Sequence, residues 1–268
     1  MIIKKLGILL MVSVLIYSCS KDETPLDEQT PIVADFELTV TGEAPDAVIS
    51  IENKSTGATD YEWIFGQGAN IESSPQQSPS ELNVDKAGTF SVVLKASSGS
   101  EEKTKEKSVN ITGYSAIYFY ENVHLGYEQG IETYGRLFSS STGLVYKDGE
   151  VDEDIGGLID FGYTHITGTN MGLFASPDDE NENFGIPNAQ TTKIRNWVRD
   201  EEYNIEDFDD IENDSGLSDL DFEEDDDLVP MNTERVVFFE NGENRKGIIK
   251  VKGIEGYKVI ADIKVQKY

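Results

Sequence analysis

The 268-residue sequence has few of the residues on which covalent cross-links, metal centres and nucleic-acid contacts depend. It contains one cysteine, two histidines and 22 lysines and arginines, against 51 aspartates and glutamates. A single cysteine cannot form an internal disulfide, and two histidines cannot make a zinc centre without further partners. The net charge of −29 argues against binding to nucleic acid or to anionic lipid, because both need a basic surface.

Long apolar runs are also scarce. Lys4 and Lys5 precede an apolar run over residues 6–16, and the small residue Ser18 stands directly before Cys19. This is the order of a secretory signal, and the run is too short to span a bilayer. No later segment reaches the ~18 apolar residues of a spanning helix. The sequence therefore predicts an exported protein.

The end of this leader, Ile16-Tyr17-Ser18-Cys19, resembles the lipobox of bacterial lipoproteins. The resemblance implies that residues 1–18 are a signal peptide and that Cys19 carries acyl chains such as palmitate. Two or three such chains hold a protein at a membrane far better than one. The alternative is a disposable signal peptide followed by a free cysteine.

The residues after the cysteine resemble a second address. Ser20, Lys21, Asp22 and Glu23 look like the lysine-then-acid signal that sends some Gram-negative lipoproteins to the outer face of the outer membrane. An ordinary charged start to a linker is the alternative. Residues 19–30 have little to bury, so we predict an acylated cysteine followed by a flexible tether.

Short alternating runs separated by turn residues fill residues 31–113. The clearest is the run over residues 88–96, in which Phe90, Val92, Leu94 and Ala96 alternate with other residues. A run over residues 59–68 places Trp63 on one strand face. Such spacing over about 80 residues predicts a small β-sandwich.

Four motifs in this segment resemble a PKD domain: Ala34-Asp35-Phe36, Asn53-Lys54-Ser55-Thr56-Gly57, Tyr61-Glu62-Trp63-Ile64-Phe65-Gly66-Gln67-Gly68 and Gly88-Thr89-Phe90-Ser91-Val92-Val93-Leu94. The resemblance implies an immunoglobulin-like sandwich with Trp63 and Phe65 in its core and with Gly66 and Gly68 in a tight turn or bulge. Two acidic positions of the family motif are Ile64 and Gln67 here, so no role of those acids carries over. PKD-type domains serve as spacers or binding modules.

Residues 114–268 predict a second, β-rich α+β domain with inserted short helices. Its closing hairpin places Val259, Ala261, Ile263 and Val265 on the core face. A helix is predicted over residues 191–199, and Asn204 is predicted to cap a short helix that runs to residue 211 and buries Phe208. The remaining strands are predicted over residues 115–122, 143–146, 157–166, 235–240, 246–254 and 257–266, the last two joined at Glu255-Gly256. Segments 140–146, 159–163 and 247–251 look like parts of uncharacterised bacterial lipoproteins.

Residues 200–227, the acidic segment, contain 16 acids and no lysine or arginine. One interpretation is a solvated loop, and a second is a calcium site, for which Asp209, Asp210, Asp214 and Asp219 are weak candidates. The EF-hand pattern fails, because apolar residues stand at loop positions one and twelve. A third interpretation has the segment dock weakly on a basic hairpin made of Arg245, Lys246, Lys250, Lys252, Lys258, Lys264 and Lys267, since exposed ion pairs contribute only ~0–1 kcal/mol.

Candidate catalytic residues are sparse. His124 and His165 lack partners at metal-ligand spacing, and Asp160 has no identifiable second carboxylate. No phosphate-binding loop or nucleophile elbow is present. Aromatic residues of the second domain could stack on sugar rings or fill its core; they are Tyr118, Tyr120, Tyr127, Tyr134, Tyr146, Tyr163 and Trp197.

These observations predict a surface protein with a non-catalytic binding role, whose target is a glycan or another surface protein. The alternative is a structural or accessory subunit of an envelope complex, with the acidic segment docked on a partner. A Ca²⁺-dependent adhesin and an unfamiliar enzyme are further alternatives.

Overall fold

The computed structural model describes residues 30–199 and 202–268, and this part of the chain is mainly β, as predicted. Cys19, Ser20, Lys21, Asp22 and Glu23 lie outside the described residues, so the leader, the lipid anchor and the export signal stay predictions. Within the described residues, no helix has the length and apolar character needed to cross a membrane.

Residues 36–111 fold into a sandwich of two antiparallel sheets, with strand orders β1-β2-β5 and β4-β3-β6-β7. Its strands are β1 (Phe36–Thr41), β2 (Ala47–Asn53), β3 (Asp60–Phe65), β4 (Ser73–Ser74), β5 (Leu82–Val84), β6 (Gly88–Ser98) and β7 (Glu101–Ile111). This arrangement of two small antiparallel sheets is immunoglobulin-like. The predicted alternation of β6 holds, because Phe90, Val92, Leu94 and Ala96 are all buried.

Trp63, on β3, lies at the centre of this sandwich. Its side chain is fully buried, its ring meets that of Phe36 edge to face at 5.2 Å, and its indole N–H donates to the carbonyl oxygen of Gln76 at 2.8 Å. Phe65 is also buried. A buried tryptophan on the third strand is typical of immunoglobulin-like domains.

Gly66 and Gly68 form the turn after β3. The N–H of Ala69 donates to the carbonyl of Gly66 at 3.4 Å, and Gly68 has φ +96. A Cβ atom on Gly68 would lie 2.5 Å from the Cβ of Lys86, so this position requires glycine.

Residues 117–266 form a second sandwich. Its strands are β8 (Ile117–Gly126), β9 (Leu137–Ser139), β10 (Leu144–Tyr146), β11 (Phe161–His165), β12 (Met171–Ala175), β13 (Lys193–Arg195), β14 (Val229–Pro230), β15 (Arg235–Glu240), β16 (Lys246–Glu255) and β17 (Lys258–Gln266). One antiparallel sheet has the order β13-β15-β16-β17-β8 and the other has the order β10-β9-β11-β12-β14. Apolar side chains of both sheets make the core between them, with Phe161 in contact with Phe138, Phe174 and Phe239.

Short helical elements are inserted in the second sandwich, as predicted. The α-helices are α1 (Ile131–Tyr134), α2 (Glu153–Gly156) and α3 (Ser215–Ser218), and 3₁₀ turns cover Glu128–Gly130 and Ile205–Phe208. The side chain of Asn204 caps the second of these turns by accepting from the N–H of Glu206, and Phe208 is fully buried. The predicted cap and the predicted burial are both confirmed, although the helical turn ends at Phe208 instead of continuing to Ile211.

Two of the predicted boundaries lie elsewhere in the structure. The strand expected over residues 157–166 is shorter, because α2 and a turn occupy its start and β11 begins at Phe161. The final hairpin turns at Gly256-Tyr257, one residue later than predicted, because Glu255 pairs with Lys258. The alternation of β17 is confirmed, since Val259, Ala261, Ile263 and Val265 are all fully buried.

The helix predicted over residues 191–199 is wrong. Residues 193–195 form β13, and side chains beyond the strand keep alternating: Ile194, Asn196 and Val198 are buried, whereas Trp197 is exposed. The buried residues therefore recur at a period of two, which is the period of an extended chain. The prediction took Ile194, Trp197 and Val198 as one helix face and missed the role of buried Asn196.

The acidic segment is not the solvated loop of the first interpretation. Residues 202–227 cover the sheet β13-β15-β16-β17-β8 on the face opposite the core of the second sandwich. The covered cluster comprises Val198, Phe208, Ile211, Leu217, Leu220, Val236, Phe238 and Ile248. Lys264, on that face of β17, is buried and donates to the carbonyls of Phe208, Asp209 and Ile211. The predicted docking of the segment on the basic hairpin is therefore confirmed, but its expected ionic basis is wrong: apolar packing and backbone hydrogen bonds hold the segment, and Lys250–Asp209 is an added ion pair at 3.0 Å.

The segment that connects the two sandwiches, from Ile111 to Ile117, forms hydrogen bonds with the first sandwich and with the acidic segment. Ser115 is buried; its Oγ accepts from the N–H of Ala87 at 3.2 Å, and its N–H donates to the carboxylate of Asp214 at 2.8 Å. Asp85 of the first sandwich accepts from Lys267 Nζ at 2.6 Å and from the hydroxyl of Tyr268. Side chains from both sandwiches and from the acidic segment thus meet at this connecting segment.

Candidate ligand-binding cleft

An open cleft of about 530 Å³ lies where the end of β13 meets the acidic segment. Its lining combines one tryptophan with arginines and carboxylates: Arg195, Trp197, Arg199, Glu202, Asp221, Phe222, Glu223, Glu224, Asp225 and Asp227. We call it the Trp197 cleft. A volume of this size is in the range of small-molecule sites in proteins.

The exposure of Trp197 follows from the residue before it. The side-chain amide of Asn196 accepts from the N–H of Phe174 at 2.8 Å and donates to the carbonyl of Phe174 at 2.9 Å. Asn196 therefore pairs with β12 as a further strand residue would, and it is fully buried. Because neighbouring side chains of an extended chain point to opposite sides, Trp197 is turned outward and is 40% exposed.

Asp225 fixes the opposite wall of the cleft. Its carboxylate accepts from the N–H of Asn196 at 2.9 Å and from the N–H of Trp197 at 3.0 Å, and its own N–H donates to the carbonyl of Ile194 at 3.0 Å. A carboxylate that accepts two backbone N–H groups makes strong, charge-assisted hydrogen bonds. The position of Trp197 is therefore set by polar contacts on both sides, those of Asn196 being buried.

Two arginines are placed around the tryptophan. The guanidinium of Arg235 lies over the Trp197 ring, 5.8 Å from its centroid, and its Nε donates to the carbonyl of Pro230 at 2.6 Å. Arg195 makes an ion pair with Glu202. The cleft thus presents an aromatic ring, guanidinium groups and carboxylates together, which are groups that bind the apolar faces and the hydroxyls of sugars.

The aromatic residues that the sequence offered for sugar stacking are separated by the structure. Tyr127 and Tyr163 are buried in the second sandwich. The side chains of Tyr118, Tyr120, Tyr134 and Tyr146 are half-buried. Trp197 is the one member of the predicted set that is exposed, so it is the one available to a ligand.

A second cavity, of about 340 Å³, has His165 in its wall. The Nε2 atom of His165 lies 2.7 Å from the carbonyl of Thr169, which can only accept, so Nε2 carries the proton. Nδ1 then accepts from the hydroxyl of Tyr163 at 3.0 Å, and the ring stacks on Tyr127 at 4.0 Å. Both nitrogens are engaged, so the geometry gives His165 no free base. His124 is half-buried, and burial is the main cause that lowers its pKa.

Asp160 is buried beside a cavity of only about 10 Å³, which has room for a single water molecule. Its carboxylate accepts from the N–H of Ser140 and from the amide of Asn241, each at 2.5 Å. Burial raises the pKa of Asp160, and these hydrogen bonds act in the opposite direction. A sugar cannot enter this cavity, so Asp160 has a structural role.

The calcium candidates are not assembled. Asp209 pairs with Lys250, and Asp214 accepts from the N–H of Ser115. Across residues 30–199 and 202–268, no three His, Cys, Asp or Glu side chains are grouped so that they could hold a metal ion. Asp209, Asp210, Asp214 and Asp219 therefore do not form a calcium site in the described chain.

Sequence reasoning missed Asn196, Asp225 and Arg235, the residues that position Trp197. The sequence does carry a signal for Asn196. It stands between Ile194 and Val198 in an alternating run, at a position where a buried residue is expected. Nothing in the local sequence distinguishes Asp225 from its acidic neighbours, because its partners lie 28 and 29 positions away.

Comparison with known proteins gives little. No model of a known protein family matches the chain, and no curated protein matches it. Among solved structures, it is similar to one described as the crystal structure, at 2.00 Å resolution, of a DUF4466 family protein from Parabacteroides merdae ATCC 43184. The identity is 10% and the TM-score 0.44, and the match covers 88% of this chain and 99% of the other. A likeness at this level supports no statement about function.

Proposed function

We propose that this chain is a lipid-anchored outer-membrane protein that faces the cell exterior and binds a glycan, without catalysis, in the Trp197 cleft. The observation that carries the proposal is an exposed tryptophan held rigidly in a cleft of about 530 Å³ among carboxylates and guanidinium groups. A flat aromatic ring packs against the C–H face of a sugar, and the polar groups around it hydrogen-bond the sugar's hydroxyls. The first sandwich, which resembles a PKD domain in its motifs, serves as a spacer.

Binding is proposed instead of hydrolysis because the residues that the sequence offered for catalysis, His165 and Asp160, are engaged in structural contacts. His165 uses both ring nitrogens, and Asp160 has no space beside it for a substrate. In the cleft, Asp225 is committed to two backbone N–H groups and Glu202 to Arg195.

The glycan proposal is tested by fluorescence, because the chain has only two tryptophans. Trp63 is fully buried in the first sandwich, so a change in emission on adding an oligosaccharide reports on Trp197. We expect a saturable change in the mature chain, purified in detergent, and at least about tenfold weaker binding in Trp197→Ala, measured by calorimetry. Tyr257→Ala, which removes another exposed aromatic side chain, is the matched control and should bind as the parent does. Equal affinities of Trp197→Ala and the parent would contradict the proposal.

The anchor is tested separately. Cells fed an alkyne analogue of palmitate should label the parent chain and should not label Cys19→Ala. The variant in which alanine replaces Lys21, Asp22 and Glu23 should still be labelled. Protease added to intact cells should no longer digest it. Label retained in Cys19→Ala would contradict acylation at that residue.

A further inference from the structure

Negative charges outnumber positive charges in the lining of the Trp197 cleft. Its lining holds six carboxylates and two arginines. Glu202 is paired with Arg195, and Asp225 is used by the backbone N–H groups of Asn196 and Trp197. Asp221, Glu223, Glu224 and Asp227 also line the cleft, and all four are exposed. These four carboxylates define the acidic rim of the cleft.

The rim surrounds a concave surface on which six carboxylates outnumber two arginines, and a concave surface with an excess of one sign of charge concentrates the electrostatic field. The influence of Glu224 reaches Lys193 on β13, whose pKa is raised first by its hydrogen bond to Glu240, then by the charge of Glu240, with a smaller contribution from Glu224. A negative ligand in this cleft would be repelled by four exposed carboxylates, whereas a cation would be attracted by each of them. The face of the Trp197 ring also attracts cations, as the position of Arg235 over it shows.

We propose that the cleft selects sugars by charge: it binds glycans of protonated amino sugars most tightly, neutral glycans less tightly, and glycans of uronic acids least. The inference rests on the proposed glycan binding and names the class of glycan. An exposed ion pair contributes little by itself, but two or three contacts with the rim together give about a tenfold preference for the amino sugar over its neutral counterpart.

The test uses three linear oligosaccharides of one length, made of glucosamine, N-acetylglucosamine and galacturonic acid, with the mature chain in detergent and calorimetry as the readout. At low salt and about pH 6, where the amine is protonated, we expect the glucosamine oligomer to bind about tenfold more tightly than its acetylated form, and the galacturonic acid oligomer to bind most weakly. Raising the salt to about 0.5 M should reduce the difference in affinity between the glucosamine oligomer and its acetylated form, because the Debye length then falls to a few ångströms.

The double variant Glu223→Gln, Glu224→Gln removes two rim charges and keeps the shape of the cleft. It should lose most of the preference for the amino sugar and keep its affinity for the acetylated oligomer. The matched control is Glu101→Gln, Glu102→Gln, which changes the net charge equally but lies on the exposed strand β7 of the first sandwich. The control should keep the parent's preference.

The outcomes separate the two proposals. Binding of none of the three oligomers contradicts glycan binding itself, and the charge selection falls with it. Binding that depends on Trp197 but is as tight for the galacturonic acid oligomer as for the others contradicts charge selection only. Loss of the preference in the control variant as well would assign the effect to the net charge of the protein and would overturn the role of the rim.

Discussion

Lys264 donates from its ammonium group to the carbonyl oxygen of Phe208 at 2.7 Å, and the same ammonium reaches the carbonyl of Ile211 at 2.8 Å. The residue is buried, and its positive charge lies where a 3₁₀ turn of the acidic segment ends, next to the partial negative charge of that end. A single lysine of the second sandwich therefore holds the backbone of the segment that covers it.

Replacing this lysine should release the acidic segment. Lys264→Met leaves three carbonyl oxygens without their donor, so we expect a loss of roughly 2–4 kcal/mol in the free energy of unfolding. Lys250→Met is the matched control: Lys250 points to the same segment but pairs with the exposed carboxylate of Asp209, and its loss should cost less than about 1 kcal/mol. Denaturant unfolding measures both variants. Equal losses in the two would contradict a special role of Lys264.

The wall of the Trp197 cleft should depend on Asp225. Asp225→Ala leaves the N–H groups of Asn196 and Trp197 without their acceptor, so we expect a loss of about 2–4 kcal/mol in stability and easier quenching of tryptophan fluorescence by acrylamide. Asp226→Ala removes the exposed carboxylate of the next residue, which lines the His165 cavity, and should change neither quantity. Unchanged quenching in Asp225→Ala would show that Asp225 does not position Trp197.

Asp160 should make stability depend on pH in an unusual direction. Because burial raises its pKa above the usual 3.8, the folded state takes up a proton before the unfolded state does as the pH falls. Its contribution to stability is thus full below 3.8 and is lost as the pH rises through the raised value. Relative to Asp160→Asn, the parent should gain stability as the pH is lowered from about 7 to about 4.5, measured by denaturant unfolding at each pH. Parallel pH profiles would contradict the raised pKa.

The turn after β3 should tolerate no side chain at Gly68. Gly68→Ala combines φ +96 with a contact of 2.5 Å to Lys86, so we expect a loss of about 2–3 kcal/mol. Gly99→Ala has a comparable backbone, with φ +63, but nothing lies within 4 Å of its Cβ, so it should cost only about 1 kcal/mol. The difference between the two melting temperatures isolates the steric contribution, and an equal loss in both variants would show that the contact relaxes.

Strands with one buried face could be predicted from the sequence, because apolar and polar side chains alternate along consecutive residues. On β6 and β17 the apolar positions follow a period of two, and the structure buries them. The same rule would have identified residues 193–199 as extended, had Asn196 been counted among the buried positions. The alternation indicates that position 196 is buried, but it does not reveal the partner of the asparagine, because Phe174 is 22 residues away in the sequence.

The acidic segment shows a different limit. Its composition indicated a solvated loop, because charged residues outnumber apolar ones. Phe208, Ile211, Leu217 and Leu220 nevertheless find a second apolar face on a sheet whose other face is already covered. Whether a sheet has one or two buried faces depends on the tertiary arrangement, so the sparse apolar residues of the segment could not be assigned a partner from the sequence.

The hydrogen bonds of Ser115 have a mechanical consequence for the junction between the two sandwiches. Force applied between the two sandwiches is transmitted along several parallel connections: Asp214 to Ser115 to Ala87, and Lys267 to Asp85, besides the peptide chain itself. Such contacts must break together before the connecting segment can extend. Tension at the junction is thus shared between these hydrogen bonds and the peptide chain.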